Sequence, residues 1–141
     1  MASLTDKLRR EHSAIVEVLN KVSELGIGNK EGVAVLLGAK QLILNHLARE
    51  DRELYPALHL AATNNAELRK TIEYFTHDMQ AVSRTVLDFF AKYEKGGSGL
   101  TFGSDFGKLM AQFTARLHRE ETRLYILFEK IEHIVIAPPK T

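Results

Sequence analysis

A histidine and a carboxylate four residues apart, His46 and Glu50 in the stretch His46-Leu-Ala-Arg-Glu50-Asp-Arg-Glu-Leu54-Tyr55-Pro56, are the residues best placed to do chemistry in this chain. On a helix that spacing stacks both side chains on one face. A neutral imidazole and a carboxylate projecting together into a helical core are the parts from which carboxylate-rich metal sites in bundles are made. They also suit a plain helical ion pair, so the remaining ligands must come from elsewhere in the chain.

No cysteine is present, which rules out thiolate metal sites, iron–sulfur clusters, disulfides and thiol redox chemistry within this chain. Any metal would therefore take His, Asp, Glu or Tyr, a set that suits iron or manganese, with zinc as a competitor. A formal charge of +1, with basic residues interspersed among acidic ones, gives no electrostatic reason to expect nucleic acid or an anionic membrane. The first residues carry no signal-like apolar run, and no stretch reaches the roughly 18 apolar residues that a membrane span needs. The expectation is a soluble cytoplasmic protein with one domain over residues 1–141.

Four helices must position the candidate residues. The apolar spacing predicts helices over about 4–25, 31–62, 66–94 and 104–133, joined by Gly26-Ile-Gly28, Asn64-Asn65 and Gly96-Gly-Ser-Gly99, with Pro138-Pro139 at a frayed end. Pro56 predicts a late kink in the second helix. The inward stripe of that helix reads Leu36, Ala39, Ile43, His46, Glu50, Leu54 and Ala57. Long amphipathic helices with short connections predict an all-α, antiparallel up-down-up-down four-helix bundle.

Each helix carries a histidine at similar depth: His12, His46, His77 and His118. His12 interrupts the stripe Leu4-Leu8-Ile15-Leu19 and so points inward with His46 and Glu50. An unpaired charge there is costly, so Glu50 calls for a cation: a metal, a protonated histidine or an arginine. His77 and His118 fall off the apolar stripes of their helices at about 100° per residue, unless a π-bulge turns the face. Glu121 follows His118 by three residues and could share its face, Glu120 lies closer to the apolar stripe, and Thr122 stands where a second His-x-x-x-Glu would want its acid. His59 and His133 lie far from the common level.

Four segments together resemble the hemerythrin-like HHE domain family over essentially the whole chain. They are Leu8-Arg-Arg-Glu-His12, His46-x-x-x-Glu50-Asp-x-x-Leu54-Tyr55-Pro56, Thr76-His77-Asp78-Met79 and His118-Arg-Glu-Glu121-Thr-Arg-Leu-Tyr125. The match departs from the pattern in the fourth helix. Laying Leu54-Tyr55 on Leu124-Tyr125 aligns Glu50 with Glu120 and His46 with Arg116, and leaves His118 two places late.

The resemblance implies a non-haem di-iron centre bridged by carboxylate and an oxo or hydroxo group. Its ligands carried over residue by residue are His12, His46, Glu50, His77, His118 and Glu121. It also implies a small ligand such as dioxygen, nitric oxide or peroxide at an open position, with Tyr55 and Tyr125 as hydrogen-bond donors if they lie near the metals. Three functions follow as expectations. The first is a protein that binds or senses dioxygen, nitric oxide or iron. The second is an enzyme acting on peroxide or nitric oxide, or in iron delivery and cluster repair, although the repair-linked members often carry a cysteine-containing segment. The third is a metal-free bundle that docks on a protein partner, favoured if Arg116 occupies the core and pairs with Glu50.

Overall fold

The computed structural model describes residues 3–96 and 100–136, so Gly97-Ser98-Gly99 and Pro138-Pro139 lie outside the described residues. Four helical rods and, among the described residues, no strand make up the fold, consistent with a four-helix bundle. None of these helices is long and apolar enough to cross a membrane.

The rod α1 runs over Leu4–Leu25, started by Ser3, whose side chain accepts a hydrogen bond from the Asp6 amide at 3.2 Å. It stops at Gly26, whose φ of 67° suits a residue without a Cβ. The turn after it is tight: a Cβ on Gly32 would clash with the Gly26 carbonyl oxygen. Asn29 then accepts from the Gly32 amide at 2.7 Å and opens α2.

The rod α2 comprises α-helical turns over Lys30–Arg49, a π turn over Glu50–Leu54, and α-helical turns over Tyr55–Ala61. Asn65 caps α3, Ala66–Tyr93, by accepting from the Leu68 amide at 3.0 Å. The rod α4 repeats the plan of α2, with Leu100–Arg119, a π turn over Glu120–Leu124, and Tyr125–Ile136. It begins before the expected Ser104, because Phe102 packs against Tyr93 and Phe89 with ring centroids 5.1 and 6.0 Å away. That contact outweighs the weak helix propensity of Gly103.

The π turns decide which side chains face inward. In each, the amide after the turn reaches back five residues, from Tyr55 to the Glu50 carbonyl and from Tyr125 to the Glu120 carbonyl. The extra residue rotates the downstream part of the rod, so that Leu54 and Tyr55 are both buried and the inward register passes to Leu58 instead of the expected Ala57. Pro56 comes after the first π turn, where the expected kink would fall, while the second π turn forms with no proline nearby.

Two apolar clusters fill the interior. One gathers Ile15, Leu19, Val22, Leu36, Ile43, Val86, Phe89, Phe90, Phe106 and Phe113; the other gathers Leu8, Leu54, Leu58, Ile72, Phe75, Met79, Leu124, Tyr125 and Phe128. Along α1, α2 and α4 the boundary between them falls at buried polar residues: His12, His46 with Glu50, and Arg116 with Glu120.

Candidate metal centre

Burial of ionisable groups in that layer is nearly complete, with Glu50 at 0% and His46 at 1% exposure. His12 hangs from α1, His46 and Glu50 from α2 on either side of the start of the first π turn, and Glu120 from the first residue of the second. Each of the four offers one ligand atom, and these atoms all lie within 4.8 Å of one another.

The individual separations are those of donors converging on a point. His12 Nε2 lies 3.0 Å from His46 Nε2 and 3.1 Å from Glu120 Oε1, and His46 Nε2 lies 3.6 Å from Glu50 Oε1 and 3.8 Å from Glu120 Oε1. Donors about 2.1 Å from one ion stand about 3.0 Å apart along an octahedral edge and about 3.4 Å along a tetrahedral one.

Hydrogen bonds aim the donors. The His46 Nδ1–H donates to Glu11 Oε1 at 2.8 Å, since a carboxylate can only accept, which leaves the Nε2 lone pair of His46 facing the cluster. Glu11 is itself held by Arg49 Nε at 2.8 Å. The Tyr125 hydroxyl donates to Glu50 Oε2 at 2.8 Å and sits 2.9 Å from His12 Nε2. Glu50 Oε1 and His12 Nδ1 are buried without a hydrogen-bond partner. Such orphans cost about 1–3 kcal/mol each unless something else engages them.

Charge is divided unevenly between the two acids. Burial, then the neighbouring Glu120 charge, pushes the Glu50 carboxyl well above its ordinary pKa. Burial opposes ionisation of Glu120 too, but contacts with His12, His46 and the Arg116 guanidinium overcome it and hold its pKa low. Arg116, only 3% exposed, donates through Nη2 to Glu120 Oε2 at 3.2 Å and to the Tyr55 hydroxyl at 2.8 Å. Its Nη1 donates to the Phe75 carbonyl at 3.0 Å and to Asp78 Oδ2 at 2.8 Å. The guanidinium thus sits in the core, hydrogen-bonded to Glu120. Arg116 already offsets the Glu120 charge, and a cation held by the orphaned Glu50 oxygen and His46 Nε2 would be offset by the carboxylate that Glu50 becomes on giving up its proton.

Of the residues singled out from the sequence, His12, His46 and Glu50 come together. His77 and His118 are exposed and stand outside the group. Neighbours on the same helices explain this: Phe75 and Met79 face inward on α3, as do Arg116, Leu117 and Glu120 on α4, and the second π turn comes after His118 and so cannot rotate it. Glu121 is half-buried, its Oε1 3.6 Å from the unpartnered Nδ1 of His12. Glu120 takes the inward place instead, at the position to which the Leu-Tyr alignment carries Glu50. Glu11, which orients His46, had no sequence signal beyond its place before His12.

A cleft of about 480 Å³ reaches His12 between α1 and α4, with Leu117, His118 and Glu121 in its lining. The site is therefore a buried His/Glu cluster compatible with metal binding and bordered by a surface cleft. No curated protein and no solved structure matches the chain. The model of one family, the hemerythrin HHE cation-binding domain, matches residues 3–128, and the chain belongs to that family.

Proposed function

We propose that His12, His46, Glu50 and Glu120 hold a non-haem metal ion, iron before manganese or zinc, at which the protein binds or senses a small ligand such as dioxygen or nitric oxide. The observation that carries this reading is the convergence of four buried donors, among them His46 Nε2 and the orphaned Glu50 Oε1, within 4.8 Å of one another. The ion would supply an open coordination position and, if iron, a redox couple. The chain's own residues do the rest. Glu11 fixes the His46 tautomer, Tyr125 steadies Glu50 and presents a hydroxyl to whatever enters, and the apolar clusters on both sides limit water. The cleft at His12 is the route in.

The rods are proposed to run up and down in turn. This is supported by the second apolar cluster, which gathers early residues of α1 and α3 with late residues of α2 and α4. Arg116 in the core gives some support to a metal-free bundle that docks on a partner, yet it pairs with Glu120 and leaves Glu50 Oε1 without a partner. The metal reading accounts for that atom.

Elemental analysis after anaerobic reconstitution with ferrous iron tests the proposal, comparing wild type with His46→Ala and Glu50→Gln. Iron retained by wild type and lost by both variants is the expected result. Iron absent from wild type, or retained equally by all three, would overturn it, and absence would promote the metal-free bundle. Turnover of peroxide by the loaded protein would convert the binding role into a catalytic one.

A further inference from the structure

Resting on that metal reading, we propose that this chain is built for a single ion, with Arg116 and Met79 standing where the other half of a two-metal centre would find its histidines. The two halves of the chain are laid out alike. In the first, Glu11 on α1 accepts from His46 and Arg49 on α2, at 2.8 Å each, and Glu50 opens a π turn that ends in Leu54 before Tyr55. In the second, Asp78 on α3 accepts from Arg116 and Arg119 on α4, at 2.8 and 2.7 Å, and Glu120 opens a π turn that ends in Leu124 before Tyr125. Even the tyrosines exchange: Tyr125 bonds Glu50 of the first half, and Tyr55 bonds Arg116 of the second.

This correspondence assigns Glu11 to Asp78, His46 to Arg116, Arg49 to Arg119 and Glu50 to Glu120. The residue after Glu11 is His12, and the residue after Asp78 is Met79, which is buried. The first half therefore brings two imidazoles and a carboxylate, while the second brings a thioether, a guanidinium and a carboxylate.

The substitution changes the chemistry of that half. A guanidinium has no lone pair to give and stays charged at any working pH, so it repels a neighbouring cation. Its hydrogen bonds to Phe75, Asp78, Tyr55 and Glu120 fix it in place. A thioether is a soft donor that iron in a nitrogen and oxygen environment does not select. Asp78 is committed to two arginines, and His77 and His118 are exposed on the surface. Arg116 thus acts as a built-in cation, already offsetting Glu120, so that Glu50 is the one carboxyl of the cluster left to answer an ion's charge.

Titration of the metal-free protein with cobalt(II) under nitrogen, followed by visible absorption and electron paramagnetic resonance, reads this directly. Wild type should saturate at about one equivalent with the signal of an isolated ion. The double variant Met79→His/Arg116→His, checked for helicity, should take about two and show spin coupling. Two equivalents in wild type, or a folded double variant that stops at one, would overturn the proposal while leaving the metal site intact. No uptake, or one equivalent that persists in His46→Ala, would overturn the metal reading itself. If the double variant does not fold, the wild-type stoichiometry decides alone.

Discussion

Replacing Arg116 with methionine keeps most of the side-chain volume and removes the guanidinium, so it isolates the electrostatic role of this residue. In the metal-free protein the loss leaves Glu120 Oε2 and the Tyr55 hydroxyl without their partner, whereas Asp78 keeps Arg119. Breaking a buried ion pair from one side costs about 3–5 kcal/mol. For a chain of 141 residues, with an unfolding entropy of about 2.1 cal/mol/K per residue, that is a fall of about 10–17 °C in Tm. Circular dichroism during thermal and urea unfolding, in chelator, measures it. The double variant Arg116→Met/Glu120→Met should recover most of the loss, because two well-packed apolar groups replace a buried pair at little cost. Added cobalt(II) should raise the Tm of the single variant, since an ion bound to the native state stabilises it. A fall of less than about 3 °C in the single variant would refute the reasoning, for it would mean that Glu120 has no need of Arg116.

Other outcomes stem from the hydrogen bonds around the site. Glu11→Ala removes the acceptor that fixes the His46 tautomer and should weaken metal affinity about 10- to 100-fold without unfolding the protein; equal affinities by cobalt(II) titration would count against the orienting role. Partial burial works against the Asp78 carboxylate, but Arg119 and Arg116 lower its pKa below the ordinary value. A depressed carboxyl contributes stability above its unfolded pKa and loses it as the pH falls through the folded one. The stability gap between wild type and Asp78→Asn, measured by urea unfolding, should therefore be largest near neutrality and close as the pH drops below about 4. His77→Ala and His118→Ala should each leave metal content unchanged and stability within about 0.5 kcal/mol; loss of metal in either would return that residue to the site.

The helices were legible because their information is periodic. Leu8, Ile15, Leu19 and Val22 recur at helical spacing and are buried in α1, and the asparagine and glycine signals fall at the turns. What the sequence could not convey was local register. A π turn has no composition of its own, since Glu-Asp-Arg-Glu-Leu and Glu-Glu-Thr-Arg-Leu would both sit comfortably in an α-helix, so the shift from Ala57 to Leu58 is a consequence of packing. The early start of α4 has the same origin, in Phe102 against Tyr93.

For the site, depth and facing carried different weight. His12, His46 and Glu50 interrupt apolar stripes, which constrains both where they lie along the bundle and which way they point, and the three meet. His77 and His118 satisfied depth alone, and depth leaves the angle about the helix axis free; both are exposed. Arg116 shows the opposite case. An arginine in an amphipathic helix reads as solvated by default. It is buried here because Glu120 lies one turn on, and Asp78 and Tyr55 come from α3 and α2, contacts that no single helix pattern contains. The alignment of Leu54-Tyr55 with Leu124-Tyr125 did contain the correspondence, since it places Arg116 on His46 and Glu120 on Glu50. A repeat read across the halves thus located what the spacing within one helix could not. It also shows why the departure matters: a guanidinium at a histidine's position keeps the carboxylate beside it ionised and anchored, so in the proposed site the second half of the chain would support an ion held by the first.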